Sequence, residues 1–486
     1  MLNLINSKIA LKLPALIVAL TVLTAITSGV VAYQVASNNA VLAAEEKLTA
    51  LKISRRDSLA LYLDSIDQDL SSLSFSDYVK SAMQDFGSAW DELLAGQEQL
   101  LQQLYITDNP HPTGSKDELD FAADGSVYSE VHARYHPWFR HFLRERGYYD
   151  IFLFNTNGDL VYTVYKELDY ATNLNTGEWR DTDLGNAFRA ALNSNDPVQQ
   201  HFFDFKPYEP SFGAPASFIS QPLVDELGNT LGVLVFQMPI GRINGIMQAT
   251  AGMGESGETY IVGDDFLMRS DSRFSEESTM LNTRVEGDTV SKALSGQQGV
   301  EVVTDYRGIP VFSAYGPMEF KGTNWAILAE IDESEVFQPI VAMRNKMILL
   351  LLLVLACSVA FALLIARSIS EPLIALRESM SKLAGGDLNA PIPHRDREDE
   401  IGVMAKTMSV FKANALRAEE LEKEKRASSL QSKAQKRADM EDLASQLEAR
   451  VGAIVGDVRS AALSLQDTAA ELSNIADQSN SQVRTL

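Results

Sequence analysis

Three histidines are the residues whose type and spacing come closest to a chemical site in this sequence. His132 and His136 are four positions apart, which places both imidazole rings on one helix face at the spacing that a metal or haem chelate needs. His141 follows nearby. Pro137 is expected to break the helix beside them, and no third ligand is evident. The sequence therefore predicts no metal site and no cofactor.

Motifs for enzymatic chemistry are missing from the sequence. Gly252-Met253-Gly254 with Gly257 has part of the spacing of a nucleotide loop, but it follows a predicted helix and precedes a predicted strand, the reverse of the phosphate-binding order. There is no Gly-x-x-x-x-Gly-Lys loop, nucleophile elbow or kinase histidine in a phosphotransfer context. The only cysteine, Cys357, lies in an apolar stretch, which excludes a disulfide framework. We predict that the chain is not an enzyme and has no catalytic residues.

The charge of the 486-residue chain is negative and unevenly distributed. The formal net charge is −23, and residues 13 to 366 alone carry a net charge of −23. The first twelve residues carry +2, and the segment from Arg367 onward carries −2. Because an acidic surface repels phosphate groups, nucleic acid is excluded as a partner.

Two uncharged stretches predict membrane-spanning helices. Residues 13 to 36 and 347 to 366 contain no charged side chain, and about 20 helical residues cross a hydrocarbon core of about 30 Å. A cleaved signal peptide ending at Val41-Leu42-Ala43 is the alternative for the first stretch. Basic residues within 1 to 12 and after the second stretch predict that both termini are cytoplasmic. Residues 37 to 346 are then an outer domain of a two-pass membrane protein.

Two short amphipathic helices are predicted within residues 367 to 420. Apolar residues recur in both at spacings of three and four, which is the pattern of a heptad seam. The two seams consist of Ile369, Leu373, Leu376, Met380 and Leu383, and of Ile401, Met404, Met408, Phe411 and Ala415. Between them, Gly385-Gly386-Asp387 ends the first helix, and Pro391 and Pro393 keep the connector extended. Such narrow seams predict a parallel dimer that closes as a four-helix bundle.

Particular residues of this segment resemble the HAMP linker of transmembrane receptors. They are Pro372, Gly386-Asp387-Leu388 and Asp399-Glu400-Ile401-Gly402. The stretches 367 to 373 and 410 to 414 are similar to those of methyl-accepting chemotaxis proteins. The resemblance implies a signal relay through Pro372, Leu376, Gly386, Leu388, Ile392, Glu400 and Ile401. Two incidental amphipathic helices after a membrane anchor are the alternative.

The outer domain is predicted to combine a long helix with a duplicated α+β unit. Apolar residues between Leu59 and Leu73 fall on one helix face. A strand, turn and return strand at 149 to 164 recur at 259 to 268, about a hundred residues later. This order resembles the double Cache sensor of bacterial receptors, with a PAS-like distal subdomain at about 105 to 240 and a proximal one at about 241 to 335. The resemblance implies a periplasmic sensor anchored in the inner membrane.

In double Cache sensors the distal subdomain usually holds the ligand, between aromatic walls with a few convergent charged groups. The resemblance therefore implies a ligand site that consists of Trp138, Tyr162, Lys166, Asp169, Asp204 and Tyr208. The alternative is that the tyrosines pack in the core and that the charged side chains are solvated. Amino-acid-sensing members carry an Arg-x-Trp step before the first strand, whereas this chain has His136-Pro137-Trp138. That difference weakens the case for an amino acid ligand.

Residues 421 to 486 are predicted to begin the coiled coil of a signalling domain. From Met440 an apolar seam alternates spacings of four and three as far as Leu486. The pattern is similar to the opening of the chemoreceptor signalling helix. The hairpin tip that binds the chemotaxis coupling protein and histidine kinase is expected only beyond Leu486. We therefore expect a truncated product, a fragment, or a receptor that acts through another chain.

Together these features predict an α+β sensor between two transmembrane helices, followed by an all-α HAMP bundle and a parallel coiled coil. The predicted protein is a homodimeric chemoreceptor-like transducer, able to join larger receptor arrays, that spans the lipid bilayer and binds a small molecule outside the cytoplasmic membrane. One alternative is the input half of a sensor histidine kinase or nucleotide cyclase whose output domain is missing. The other is a membrane-anchored binding protein that transmits no signal.

Overall fold

The computed structural model describes residues 9 to 93 and 96 to 424, and the chain divides into two compact units. One unit extends from Val41 to Val336, and the other combines Met1–Ala40 with Phe337–Leu486. The predicted coiled coil lies outside the described residues, except for its first four positions.

Seven helices of the described chain contribute to the first unit. They are α1 (Ile9–Ser74, through its C-terminal part), α2 (Asp77–Glu92), α3 (Gln97–Gln102), α4 (Val127–Arg146), α5 (Asp183–Leu192), α6 (Ile240–Met247) and α7 (Asp288–Leu294). The long helix predicted from the sequence is confirmed, because Leu59, Leu63, Ile66 and Leu70 of α1 are fully buried along one face. Their spacing of three and four residues returns them to the same side at each turn.

α4 continues through Pro137, so the expected helix break does not occur. A proline inside a helix removes one backbone hydrogen bond and crowds the preceding turn. The buried side chains of α4 lie on both sides of the proline, from Tyr128 to His136 before it and at Phe139 and Leu143 after it. Burial of this whole face holds the helix together, because tertiary packing outweighs local propensity.

The distal sheet has five antiparallel strands in the order β2-β1-β5-β4-β3. The strands are β1 (Asp150–Phe154), β2 (Leu160–Thr163), β3 (His201–Tyr208), β4 (Ala214–Val224) and β5 (Thr230–Gln237). Both faces are covered: Ile151 and Leu153 of β1 join the core that contains α1, α2 and α4, whereas Phe152 and Phe154 pack with α5. Successive side chains of a strand point to opposite faces, so β1 is apolar at every position from Ile151 onward.

The proximal sheet repeats this arrangement with the order β6-β9-β8-β7. Its strands are β6 (Glu258–Val262), β7 (Gly299–Thr304), β8 (Pro310–Phe320) and β9 (Thr323–Asp332). β6 corresponds to β1, and β7, β8 and β9 to β3, β4 and β5, so the predicted duplication is confirmed. The return strand expected at 266 to 268 is reduced to isolated bridges, one of them between Val262 and Met268.

Among its described residues, the second unit contains two helices long and apolar enough to cross a membrane: the N-terminal part of α1, and α8 (Glu333–Ile365). Ile17 of α1 packs against Ala362 and Ile365 of α8. Other apolar side chains of both helices, such as Leu16 and Leu349, are exposed, as lipid-facing residues of a spanning helix would be. A π-helical turn at Ala366–Ser370 joins α8 to α9 (Glu371–Ala384), and α10 (Glu400–Glu424) follows an extended connector.

Candidate functional site

Lys166 is the centre of a buried polar cluster in the distal subdomain. It follows β2 and is 2% exposed, although lysine is among the residues least often buried. Its backbone has a φ of 57°, a left-handed conformation that is uncommon for residues other than glycine. Local backbone strain of this kind is concentrated at binding and catalytic sites. The fold therefore directs a basic side chain inward at a conformational cost.

Hydrogen bonds fix the state of the histidine beside Lys166. The Nε2 atom of His136 lies 2.6 Å from the Asp117 carbonyl oxygen, which can only accept, so Nε2 carries the proton. Nδ1 then accepts from the Tyr162 hydroxyl at 2.7 Å and from Lys166 Nζ at 3.1 Å. Lys166 also donates to the Val164 carbonyl oxygen at 2.9 Å. One of the three donors of an ammonium group at this position thus remains available.

His132 stacks on His136 with 4.3 Å between ring centroids and leaves one nitrogen unsatisfied. Its Nδ1 donates to the Asp120 carbonyl oxygen at 2.7 Å, so its Nε2 is an acceptor. That nitrogen is buried and has no hydrogen-bond partner within the described chain. Because buried polar atoms are nearly always paired, an unpaired acceptor marks a place where a ligand or water donor fits.

Three tyrosines extend the cluster away from Lys166. Tyr105 donates to Ser129 at 3.0 Å, and Tyr128 donates to the Val161 carbonyl oxygen at 2.6 Å. The Tyr170 hydroxyl lies 2.7 Å from that of Tyr128. All three side chains are fully buried. Their rings form an aromatic wall with hydroxyl groups at its edge. Each phenol keeps its proton, because burial raises the pKa of all three hydroxyls.

Burial sets the charge states of the cluster. It lowers the pKa of the Lys166 amino group well below its ordinary value, and the Asp150 carboxyl partly offsets that effect. Burial likewise raises the pKa of Asp150, whose oxygens accept from the backbone nitrogens of Ile151 and Val164 at 2.7 and 2.9 Å. Burial also lowers the pKa of both histidines, with the Lys166 charge as the next cause. The histidines are therefore neutral in the folded protein.

Asp169 and Tyr208 form a separate buried pair. The Tyr208 hydroxyl donates to Asp169 Oδ2 at 2.6 Å. Oδ1 of Asp169 has no partner among the described residues, and burial raises the pKa of this carboxyl well above its ordinary value. A second unsatisfied acceptor is thus present in the distal subdomain.

The structure does not bring Trp138 and Asp204 to the Lys166 cluster. Trp138 stacks on Phe142 and lies 4.9 Å from the Tyr78 ring between centroids, on another side of α4. Asp204 of β3 accepts from Arg269 Nε at 2.9 Å and from the Trp325 indole at 3.0 Å, so it joins the distal sheet to the proximal subdomain. Trp138 and Asp204 therefore lie outside the Lys166 cluster.

Asp204 and Arg269 also line a cavity of about 540 Å³ between the two subdomains. Its wall is strongly charged, and two pairs of these charges neutralise each other: Lys206 pairs with Asp183 at 2.8 Å, and Arg269 pairs with Asp265 at 2.9 Å. The volume suits a small ligand. The cavity is therefore an alternative binding place to the Lys166 cluster.

Sequence reasoning considered His132 and His136 only as metal ligands and did not connect them with Lys166. Their spacing of four residues was the usable signal, because it places them on the same face of α4 as Tyr128. Asp150 was read only as part of a strand. Its fully buried carboxyl could not be inferred from the sequence.

The predicted relay residues lie in a compact helical pair of the second unit. Leu376 of α9 packs against Ile401, Ala405 and Met408 of α10, and Ile392 of the connector packs on this cluster. The other predicted positions are at element ends: Pro372 is in the first turn of α9, Gly386 (φ 94°) and the half-buried Leu388 follow its end, and Glu400 begins α10. The relay role of these residues stays a prediction.

Pro372 also frees a backbone carbonyl that the connector uses. A proline lacks the N–H that would bond to the carbonyl four residues earlier, which is that of Ser368. Arg397 donates to this Ser368 oxygen at 3.3 Å and pairs with Asp399 at 2.5 Å. Asp399 in turn accepts from the Gly402 nitrogen at 3.0 Å in the first turn of α10. A chain of contacts thus joins the start of α9 to the start of α10.

Comparison with known proteins follows the same division of the chain. Residues 43–340 match the Cache domain family, and residues 364–415 match the HAMP domain family. A probable chemoreceptor of Sinorhizobium fredii is 26% identical over 415 residues, which are 84% of this chain and 51% of that protein. The chain therefore spans about half the length of this curated relative.

Solved structures with similarity to the chain include two bacterial sensor domains. The ligand-binding domain of the amino acid chemoreceptor PctC of Pseudomonas aeruginosa, in complex with GABA, is 15% identical with a TM-score of 0.29, covering 52% of this chain and 96% of that one. The periplasmic sensory domain of the Campylobacter jejuni chemoreceptor Tlp1 is 12% identical with a TM-score of 0.32, covering 57% and 99%. With the Cache match extending over more than half of its residues, the chain belongs to the Cache domain family and has the Cache and HAMP domains of a chemoreceptor related to the methyl-accepting chemotaxis proteins.

Proposed function

We propose that this protein is a transmembrane chemoreceptor that binds a small polar molecule at the Lys166 cluster and transmits the event through the HAMP helices. The sensor is residues 37 to 346, with distal and proximal subdomains at about 105 to 240 and 241 to 335. It faces the periplasm, and both termini lie on the cytoplasmic side of the inner membrane. The protein catalyses no reaction in this proposal.

The observation that carries the proposal is a buried amino group beside an unsatisfied acceptor. Lys166, once protonated, has a third donor for an anionic group, and His132 Nε2 needs a donor. A small molecule with both an anionic group and an N–H or O–H donor would satisfy the two. Its negative charge would also raise the pKa of Lys166, since an opposite charge nearby favours the charged form. Binding is therefore expected to be coupled to uptake of a proton.

A dimer is the assembly that the HAMP helices favour. Within one copy, Leu376 and Ile401 are covered, but other apolar side chains of α9 and α10 remain exposed. The exposed ones include Met380, Val403, Val410 and Leu416. A second copy would cover them in a four-helix bundle. Larger receptor arrays are proposed as a further assembly, and the coupling protein and the histidine kinase are proposed as partners only if a hairpin tip exists beyond Leu486.

The test is calorimetric titration of the full-length protein in nanodiscs with a panel of small carboxylates, amines and amino alcohols. We expect a hit whose measured enthalpy depends on the ionisation enthalpy of the buffer, because Lys166 takes up a proton. Lys166→Met should abolish both binding and the buffer dependence. Lys206→Met is the matched control, since it removes a lysine of the subdomain cavity whose side chain is mostly exposed.

One outcome would contradict the proposed site, and another would contradict the proposed transmission. If Lys206→Met loses binding and Lys166→Met keeps it, the cavity between the subdomains is the ligand site. If ligand binding leaves the crosslinking of a cysteine at Val403 between copies unchanged, the protein binds without transmitting, as a membrane-anchored binding protein would.

A further inference from the structure

The proximal sheet carries a row of polar residues on the face that also bears Tyr260 and Leu328. Glu258 of β6 is directly opposite Glu330 of β9, and Glu330 is directly opposite Ser313 of β8. Residues that face each other across antiparallel strands project their side chains to the same side. Tyr260 and Leu328 belong to an apolar cluster of this subdomain, and two carboxylates and a hydroxyl are buried side by side next to it.

A third carboxylate approaches the row from the turn between β7 and β8. Asp305 is 9% exposed, and Glu258 and Glu330 are each 1% exposed. One oxygen from each of these three carboxylates lies within 4.8 Å of the other two. Three acidic side chains from three separate chain segments therefore converge on one small volume.

Positive charge is scarce around these carboxylates. Arg307 is the basic side chain that contacts them within the described residues: its Nε lies 2.6 Å from Asp305 and 3.8 Å from Glu258. The same guanidinium also pairs with Asp332 at 2.9 Å. The Tyr260 hydroxyl, a neutral donor, lies 2.9 Å from Glu330. Burying carboxylates without matching positive charge is strongly unfavourable, so each must be either protonated or balanced by a further cation.

Ser313 gives an independent indication that a ligand belongs here. It is 0% exposed and lies directly opposite Glu330 on the neighbouring strand. Its Oγ has no hydrogen-bond partner in the described part of the chain. A buried hydroxyl oxygen without a partner is a potential ligand for a metal ion, in contrast to the hydroxyls of Ser272 and Tyr306, which both donate to Glu258 at 2.8 Å.

We propose that Glu258, Asp305 and Glu330, with Ser313, bind a divalent cation, most suitably Ca²⁺. An all-oxygen donor set selects hard cations over zinc or copper. Ca²⁺ ligands at 2.3–2.6 Å can stand up to about 5 Å apart, which agrees with the observed spacing. Mg²⁺ demands ligands at about 2.1 Å and usually keeps several waters, which suits a site so fully buried less well. Hydrogen bonds to Glu258 and Glu330 can persist, because a carboxylate has about four lone-pair positions.

The bound cation would connect β6, β9 and the turn between β7 and β8. Glu330 lies three residues before Glu333, where α8 begins. Occupancy would therefore stiffen the strand that leads directly into the second membrane-spanning helix. The site is separate from the Lys166 cluster, so this proposal does not depend on the proposed ligand site.

The experiment is thermal unfolding of the full-length protein in nanodiscs, first stripped with EGTA and then titrated with Ca²⁺. At a hundred times the dissociation constant, the ratio of folded to unfolded protein should rise about 100-fold. Tb³⁺ in place of Ca²⁺ should give luminescence sensitised by Tyr260 and Tyr306, whose hydroxyls contact the carboxylates. Ca²⁺ should displace the Tb³⁺ signal.

Glu330→Gln should lower the Ca²⁺ affinity at least about 10-fold, the effect typical of losing an important metal-site group. Ser313→Ala should lower the Ca²⁺ affinity less. Because it is a smaller change, it still tests the proposal if Glu330→Gln fails to fold. The matched control is Glu301→Gln, because Glu301 is opposite Ser313 on β7 but pairs with Lys292 at 2.7 Å. No shift in midpoint up to about 10 mM Ca²⁺, above the weakest affinity usual for extracellular calcium modules, would overturn the proposal. Equal losses in Glu330→Gln and Glu301→Gln would overturn it too.

Discussion

Arg269→Met is expected to destabilise the Val41–Val336 unit by about 3–5 kcal/mol, the usual cost of removing one partner of a buried ion pair. The Arg269 side chain is 3% exposed and that of Asp204 17%. Arg269 donates to Asp204 at 2.9 Å, to Asp265 at 2.9 Å and to the Leu267 carbonyl oxygen at 3.0 Å. Without it, Asp204 would lose its positively charged partner and keep the hydrogen bond from the Trp325 indole.

The size of the unit converts this free energy into a temperature. It contains roughly 300 residues, and unfolding entropy is about 2.1 cal/mol/K per residue, or about 0.6 kcal/mol/K in total. A loss of about 3–5 kcal/mol therefore lowers the Tm by about 5–8 °C. The assay is thermal unfolding of the full-length protein in nanodiscs, followed by circular dichroism.

A double-mutant cycle isolates the contact. Asp204→Asn combined with Arg269→Met should cost less than the two single changes added together, because the double variant no longer has an unpaired carboxylate at position 204. Arg284→Met is the control: its pair with Glu286 is exposed on both sides, so the Tm should change by about 1 °C or less. If Arg269→Met also shifts the Tm by only about 1 °C, then Asp204 is not locked in this network. It would then be available to a ligand, as the sequence predicted.

Three further predictions concern the distal cluster and the HAMP helices. The stability difference between wild type and His132→Gln should narrow as the pH falls below about 6.5, by up to about 1.4 kcal/mol per pH unit, because buried His132 stays neutral while the unfolded histidine gains a proton. The neighbouring groups His136, Lys166 and Arg140 are present in both proteins, and a constant difference from pH 8 to 5 would contradict this. Gly386→Val should destabilise the helix end by about 1–2 kcal/mol and alter ligand-dependent crosslinking at Val403, whereas Gly386→Asn should be tolerated, because φ is 94° at this position. Equal behaviour of the two variants would be evidence against a role of the left-handed backbone. Glu400→Ala should leave ligand affinity unchanged and reduce the crosslinking response, and a normal response would exclude a relay role.

Apolar periodicity was the most reliable sequence signal. The two membrane-spanning stretches were predicted by counting uncharged residues, and the apolar face of α1 by counting the spacing of its apolar residues. Strands with alternating or continuously apolar residues were predicted in both subdomains. β3 and β7 were missed, and both are edge strands. β3 contains Asp204, Lys206 and Pro207, and an edge strand tolerates charge and proline because one side of it makes no ladder hydrogen bonds.

The ligand residues were harder to predict, because a resemblance gives residue types but not directions. Trp138 is two positions from His136, and two helical residues turn about 200°, so the two side chains point to different sides of α4. Lys166 was identified, but its inward direction depends on a left-handed backbone that no local sequence pattern indicated. Asp204 depended on Arg269, a partner 65 residues away.

The π-helical turn at Ala366–Ser370 allows the length of the sequence to vary by one residue. A π turn holds one residue more than an α turn, and each α-helical residue rotates the chain by about 100°. Deleting one residue within this turn would restore a regular α-helix between α8 and α9. Such a deletion could compensate for the insertion of one residue elsewhere in α8. The length of the spanning helix can therefore change by one residue without altering the rotation of α9 relative to α8.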